Sequence, residues 1–398
     1  MTQKILFNET PAIVLGCHKI GLGIIRALGE EHVPVIGVYY NKMDMAQASK
    51  YVTASYHCPH PDTNPTDFIS SLLDLSSKWA GSVLIPSDDA TLIPVSKYRS
   101  QLAKHFKIMA SEWNITEKYI VKKHTYSIAH EIGIPAPQTL VPVSLDETID
   151  FVKKIGMPCI LKPTVGHRFF EIFRKKMIFI ETISQLEDAY KTTRDAGIEM
   201  MIQEFIPGDD RSGVNYNSLI VDGEPIIEVT AEKVRLSPIK TGFPRVVVSK
   251  YIPELLEPGR KILNAVGYSG FSCTEFKKDS RNGIYKLMEI NGRLNLSTPL
   301  NVMAGVNFPY LTYLYTLTGK IPLIDNKFRE DIYWIDIGKD IAETIRSFRK
   351  ERYSFSEYIR PYIRPHVYTI LSLKDPWPMI KRSFDIAKAI PNRLFGNK

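Results

Sequence analysis

Glu275, Glu289 and Asn291 are the residues of this chain best placed to do chemistry. They lie in two β-prone segments, FSCTEFKKD (271–279) and GIYKLMEIN (283–291), joined by the turn Asp279-Ser280-Arg281-Asn282-Gly283. Side chains alternate faces along a strand, so Glu289 and Asn291 share a face, as do Glu275 and Lys277. A hairpin centred near Arg281 or Asn282 pairs odd residues with odd. That sets Glu275 across from Glu289 or one step diagonal to it. Converging carboxylates repel unless a cation lies between them. Hard oxygen donors from few protein groups suit Mg²⁺ held jointly with phosphates. Arg293 stands just beyond. The plainer reading is an exposed sheet face with charges of both signs.

Other candidates are weaker alone. Lys162 ends the apolar strand Pro158-Cys159-Ile160-Leu161 and precedes Pro163; Lys122 and Lys123 sit early in a helix. Each by itself reads as a solvated charge. The apolar strand Met200–Phe205 breaks at Pro207-Gly208 and is followed by Asp209 and Asp210. Backbone exposed at such a break can bond an adenine edge, and an acid beyond it can meet ribose hydroxyls; the alternative is a strand and a turn. Gly16-Cys17-His18-Lys19-Ile20-Gly21-Leu22-Gly23 follows the first strand, where a glycine turn can hold phosphate. It lacks G-x-G-x-x-G, and Val38-Tyr39-Tyr40-Asn41 offers no acid for a ribose. These glycines read instead as close strand–helix packing, which disfavours a nicotinamide oxidoreductase.

Alternating strands and helices must position these groups. Ala12–Leu15, Val33–Tyr39 and Ser82–Ile85 read as strands of a doubly wound α/β unit. Glu117–Ile132 reads as one helix, ended by Gly133-Ile134-Pro135-Ala136-Pro137. Strands are expected over Met157–Lys162, Lys176–Ile180 and Met200–Phe205, with a helix over Ser184–Ala196. A β-rich stretch runs from Tyr216 to Tyr251, a helix covers Glu254–Ala265, and the tail from Ile332 is expected to be helical.

The 398 residues, 44% hydrophobic and 24% charged, fit two or three globular domains and exclude a disordered or collagen-like chain. No apolar run nears the roughly 20 residues of a membrane span, and no signal peptide is read at the start. Four scattered cysteines without C-x-x-C suit buried packing in a reducing cytoplasm. The net charge is +8, of which +6 falls between Lys327 and Lys398, with 15 basic and 9 acidic residues there. Arg346, Arg349, Lys350 and Arg352 cluster there, and Trp377–Ile390 is amphipathic, with Met379, Ile380, Phe384, Ala387 and Ile390 near one face. Such a helix either packs on the body or lies on an anionic membrane. No groove-reading motif points to nucleic acid.

In their order and spacing, GIPAP, ILKP, MIQEFIPG, Glu232-Lys233-Val234-Arg235, the 270–292 hairpin and GVNFPYL resemble the ATP-grasp superfamily. The likeness is to its carboxylate–amine ligase branch, which includes D-aspartate ligase-like enzymes, and spans about Ala12 to Lys320. It implies an α/β and α+β architecture, an ATP-grasp fold behind an N-terminal doubly wound α/β domain. The divisions expected are 1–115 for that domain, 116–200 for a small subdomain with a phosphate lid, 201–325 for a large subdomain with the metal site, and 326–398 for a basic helical extension. The resemblance further implies ATP and Mg²⁺, with Mn²⁺ as a substitute. Lys122 (or Lys123) and Lys162 would meet the nucleotide; Gln203, Glu204 and Ile206 would form the adenine-edge strand, and Asp210 the ribose carboxylate. Glu275, Glu289 and Asn291 would hold metal, Arg293 would steady transferred phosphate, and Lys233 and Arg235 would face phosphates or an acceptor carboxylate. Two departures stand out. The loop after Lys162-Pro163 keeps one glycine, leaving His167 or Arg168 to cover phosphates, and Leu294-Asn295 replaces an aromatic pair.

The expected activity is ATP-dependent coupling of a small-molecule carboxylate to an amine through an acyl phosphate, with a flap over Pro163–Lys176 excluding water. Arg235, Lys240 and Arg245 suggest an acidic substrate. A nucleotide-binding partner or regulator with reduced catalysis is the alternative. The location expected is cytoplasmic, peripheral to the inner membrane face if the tail helix binds lipid, and a homo-oligomer is compatible with the sequence.

Overall fold

Apolar strands bounded by glycine, proline and capped helices set the architecture, which the computed structural model describes for residues 9–164, 173, 177–240, 242–347 and 353–395. The strands are β1 (Ala12–Leu15), β2 (Val35–Tyr39), β3 (Val52–His57), β4 (Val83–Pro86), β5 (Lys107–Ile108), β6 (Thr139–Leu140), β7 (Cys159–Pro163), β8 (Ile178–Ile180), β9 (Met200–Glu204), β10 (Gly213–Val221), β11 (Glu224–Ser237), β12 (Phe243–Ser249), β13 (Gly270–Lys278), β14 (Tyr285–Asn291), β15 (Tyr333–Ile335) and β16 (His366–Tyr368). Among the described residues they form three sheets, ordered β3-β2-β1-β4-β5, β6-β9-β7-β8 and β14-β13-β10-β11-β12-β15-β16.

The first sheet is parallel, and β1 and β4 are buried along their whole length, as strands covered by helices on both faces must be. The glycines after β1 serve packing. Gly16 has φ +100°, and a Cβ at Gly21 would stand 1.8 Å from the Gly16 carbonyl oxygen, so the helix Lys19–Gly29 rides close on the turn. That helix also enters a core shared with the large sheet, in which Leu22 and Ile25 lie with Leu219, Phe271, Phe308 and Tyr313.

Three expectations change. The helix expected over Glu117–Ile132 is two helices, Trp113–Ile120 and Lys122–Glu131, separated by Val121 at ψ 100°. The break puts Lys122 at the first position of the second helix. Met200–Glu204, expected mostly in the large unit, pairs with β6 and β7 in the small sheet. The tail is not purely helical: Tyr333–Ile335 pairs antiparallel with β12, and His366–Tyr368 pairs parallel with it in turn. Short apolar runs such as Tyr-Trp-Ile cannot be told from helix by periodicity. No described helix is long and apolar enough to cross a membrane.

Candidate active site

Glu275 on β13 lies directly across from Glu289 on β14, and Cys273 across from Asn291. This alignment depends on one extra residue. Next to the turn, Lys278 pairs with Tyr285 and Lys277 with Lys286; the register then shifts between Phe276 and Glu275, leaving Met288 as a β-bulge. Without the bulge, the turn-end register would pair Glu275 with Met288 and send Glu289 to the other face. Tyr126 secures the bulge by donating its hydroxyl to the Met288 carbonyl at 2.7 Å.

The two carboxylates open onto a cleft of about 750 Å³ between the small and large sheets, with Asp89 from the first unit at its wall. Lys233 Nζ donates to Glu275, and Lys122 Nζ lies 3.2 Å from Glu289 Oε2. Burial alone would raise the Glu289 carboxyl, but the charges of Lys122 and Lys233 outweigh it and hold the group at about 2. Glu289 in turn raises Lys122. Burial lowers Lys233, and Glu275 and Glu289 more than offset that, so it stays charged. Asn291 Nδ2 sits 3.4 Å from an oxygen of each carboxylate. Half a turn of that amide presents its oxygen instead. No cluster of three His, Cys, Asp or Glu side chains converges among the described residues. The donor set is two carboxylates and one amide oxygen, which fits a hard divalent cation that completes its shell with other oxygens.

Lys162 projects from β7 and donates to Gln203 Oε1 at 2.8 Å, while Gln203 Nε2 donates to Thr139 Oγ1 at 2.9 Å. Gln203 is fully buried, so it aims Lys162. Arg293 forms a two-pronged pair with Asp89, at 2.7 and 3.1 Å.

Residues 122–310 match the family model described as carbamoyl-phosphate synthase L chain, ATP binding domain. A D-aspartate ligase of Enterococcus faecium (strain Aus0004) is 25% identical over 330 residues, 77% of this chain and 76% of that protein. Among solved structures, biotin carboxylase from Campylobacter jejuni superposes with a TM-score of 0.66 at 18% identity, covering 81% of this chain and 74% of that one. The biotin carboxylase domain of Hydrogenobacter thermophilus 2-oxoglutarate carboxylase, solved with MgADP and bicarbonate, gives 0.65 at 17% identity, covering 81% and 73%. The chain has the ATP-grasp fold.

Within this ATP-grasp cleft, Lys122, Lys162, Lys233, Glu204, Ile206, Asp210, Glu275, Glu289, Asn291 and Arg293 are lining residues. Lys123 is exposed and does not line it. Glu204 presents little free carboxylate. Burial would raise it, but Lys286 at 2.9 Å and Arg281 hold it down. Asp210 differs from its expected role. It is buried, and its two oxygens accept from the amides of Leu236 at 2.7 Å and Lys240 at 2.6 Å. The carboxylate therefore clamps the β11–β12 turn and is not presented to a ribose. Asp209 beside it is exposed and accepts from the Ser212 amide at 3.1 Å.

Arg235 is a second correction. It was expected, like Lys233, to face phosphates or an acceptor carboxylate, yet it is fully buried on the far side. The pairing with β12 shifts between Lys233 and Arg235, and the extra residue, Val234, reverses the face. Arg235 donates instead to Asp340 at 2.7 Å and to the carbonyls of Glu357 and Tyr358. Arg245, offered as a hint of an acidic substrate, binds the same Asp340 at 2.7 Å. His167, Arg168 and most of the expected flap 163–176 lie outside the described residues.

Asp89 and Tyr126 were not anticipated as site residues. Asp89 follows the C-terminal end of β4, where doubly wound sheets bind ligands, so its position carried a signal. Lys240, offered with Arg235 and Arg245 as a hint of an acidic substrate, lines the cleft from a turn at φ +68°.

Proposed function

We propose that this chain is an ATP- and Mg²⁺-dependent ligase that phosphorylates a carboxylate and couples it to an amine. The observation that carries this reading is the direct Glu275–Glu289 pairing with Asn291 beside it, in a cleft walled by Lys122, Lys162, Lys233 and Arg293. The D-aspartate ligase relative, matched over three quarters of both chains, supports C–N bond formation with an amino-acid-like substrate.

A carboxylate is a poor electrophile because its leaving group would be oxide. Transfer of the γ-phosphoryl group to a carboxylate oxygen releases ADP and leaves an acyl phosphate. The amine nitrogen then attacks the acyl carbon, phosphate departs, and the nitrogen loses its proton. Phosphoryl transfer is governed by positioning and charge neutralisation. Glu275, Glu289 and the Asn291 oxygen would hold Mg²⁺, which when bound supplies positive charge to the phosphate oxygens. Lys162, aimed by Gln203, adds a fixed positive charge from the small sheet, and Lys122 and Lys233 add theirs from beside the carboxylates. The depressed Glu289 keeps that carboxylate ionised throughout neutral pH. Arg293, held by Asp89, is oriented at the wall where the first unit meets the cleft. No nucleophilic side chain is needed, and no covalent enzyme intermediate is part of the scheme.

Glu289→Gln keeps shape and removes charge. Amine-dependent ADP release is expected to fall about 10²-fold or more. Retention of full ADP release would refute the metal assignment. A second reading is a nucleotide-binding partner with reduced catalysis. It is favoured by Arg293 being engaged by Asp89 and by Leu294 being buried in the core where an aromatic was expected. ADP formation in a screen of carboxylate and amine pools would exclude it.

A further inference from the structure

The last described helix, Trp377–Phe395, is docked with its apolar stripe outward. Trp377, Ile380 and Phe384 recur at helical spacing and are 55%, 52% and 60% exposed; Ala387 continues the row, and Leu373, just ahead of the helix, is 97% exposed. The side turned to the body is largely polar. Lys381 donates to the Lys42 carbonyl at 3.2 Å and to Asp385 at 2.7 Å, and Pro378 and Met379 supply the apolar contact. An amphipathic helix that only stabilised the fold would face the other way, because burying the apolar side is what drives docking.

Charge identifies the occupant. Residues 371–398 carry six Lys or Arg against two Asp. Neither acid offers negative charge to an approaching surface: Asp375 is fully buried on Arg26, Ser49 and the Lys50 amide, and Asp385 is held by Lys381. Lys374 is exposed although its Nζ lies 3.6 Å from Glu30, and Lys388 stands 4.5 Å over the Phe384 ring at the flank of the stripe. We infer that this face is a peripheral docking surface for an anionic lipid bilayer. Trp377, Ile380 and Phe384 enter the headgroup–acyl boundary, and Lys374 and Lys388 meet lipid phosphates. The contact is interfacial, since no described helix can span the bilayer.

The test is co-flotation of the full chain with vesicles of phosphatidylcholine alone or mixed with phosphatidylglycerol, at low and high salt. Binding is expected to the mixed vesicles only, weakening with salt. Ile380→Ser with Phe384→Ser should reduce partitioning about tenfold or more. Lys374→Glu with Lys388→Glu should reduce it about fivefold per charge. Because these side chains are exposed, melting temperature and ADP release should stay as in the parent chain. Absence of binding to the mixed vesicles at low salt overturns the inference, as does binding that the serine variant leaves intact. A concentration-dependent dimer abolished by the serine variant would assign the face to a second copy and would also overturn it, as would capture by a defined protein with no vesicle binding.

Discussion

Replacing Arg235 by Met separates the two faces of β11. The guanidinium is fully buried, 2.7 Å from Asp340, bonded to the carbonyls of Glu357 and Tyr358, and stacked 4.3 Å over the Tyr358 ring. Removing one partner of a buried ion pair costs about 3–5 kcal/mol, because the other charge is left unpaired. Asp340 keeps Arg245 at 2.7 Å and the Tyr362 hydroxyl, which places the loss at the lower end. Each abandoned carbonyl adds about 1 kcal/mol, offset in part by the apolar packing of Met, for about 3–4 kcal/mol in all. At roughly 2 °C per kcal/mol for a large domain, the melting temperature should drop by about 6–8 °C. The assay is thermal melting beside kcat/KM for ADP release well below the transition, where activity should change by no more than about twofold. Unchanged melting with activity down tenfold would mean that Arg235 faces the reacting groups, and the bulge at Val234 would not reverse the strand as described.

Deleting Met288 removes the bulge and lets Glu289 follow Leu287 directly, which keeps it opposite Glu275, so ADP release should fall no more than a few-fold; a loss of about 10²-fold, as expected for Glu289→Gln, with the sheet intact by circular dichroism would refute the register. Gln203→Leu frees Lys162 from its 2.8 Å bond and should raise the KM for ATP about tenfold with a smaller effect on kcat. Asp89→Asn removes the counter-charge of Arg293 and should lower kcat several-fold, which steady-state kinetics would detect. Glu289 is held at about 2, below the ordinary carboxylate value, so its contribution to stability is complete above about pH 4.3 and drains away as pH falls toward its folded value. Glu289→Gln should flatten that acid limb of a melting-temperature profile.

Much of the site was legible because it rests on period-two geometry. The spacing of Glu289 and Asn291 and the turn at Asp279–Gly283 were enough to bring Glu275 and Glu289 together in prospect. The reason they meet was not legible: counting from the turn gives the required register only with Met288 left over, and nothing about a methionine marks a bulge. The same blindness, with the opposite sign, governed Arg235. The resemblance set it with Lys233 facing phosphates or an acceptor carboxylate, and an unpaired Val234 sent it into the core. Asp210 was misread for a different reason. An acid after a strand break is compatible both with a ribose and with the two backbone amides that hold it, and the choice depends on a turn thirty residues downstream. The strands β15 and β16 were missed because three residues are too few to show a period.

Those two strands change what the basic tail does. Arg235 and Arg245, on the sheet that carries Lys233 and Glu275, are both tied to Asp340 beyond β15. From the same region Asp336 pairs with Lys19, and Asp375 pairs with Arg26 at 2.9 Å, both on the helix that follows β1. The segment 332–375 thus fastens the first unit to the large sheet from outside the cleft, while Asp89 and Arg293 fasten it from inside. In the proposed reaction an acyl phosphate would survive only if water is kept out, and the wall bearing Asp89 would exclude water only while the two units keep their spacing. The charge excess between Lys327 and Lys398 therefore divides by position. Asp336, Asp340 and Asp375 spend their charge inward on arginines and a lysine of the body, and that leaves the outward surface of the last helix basic.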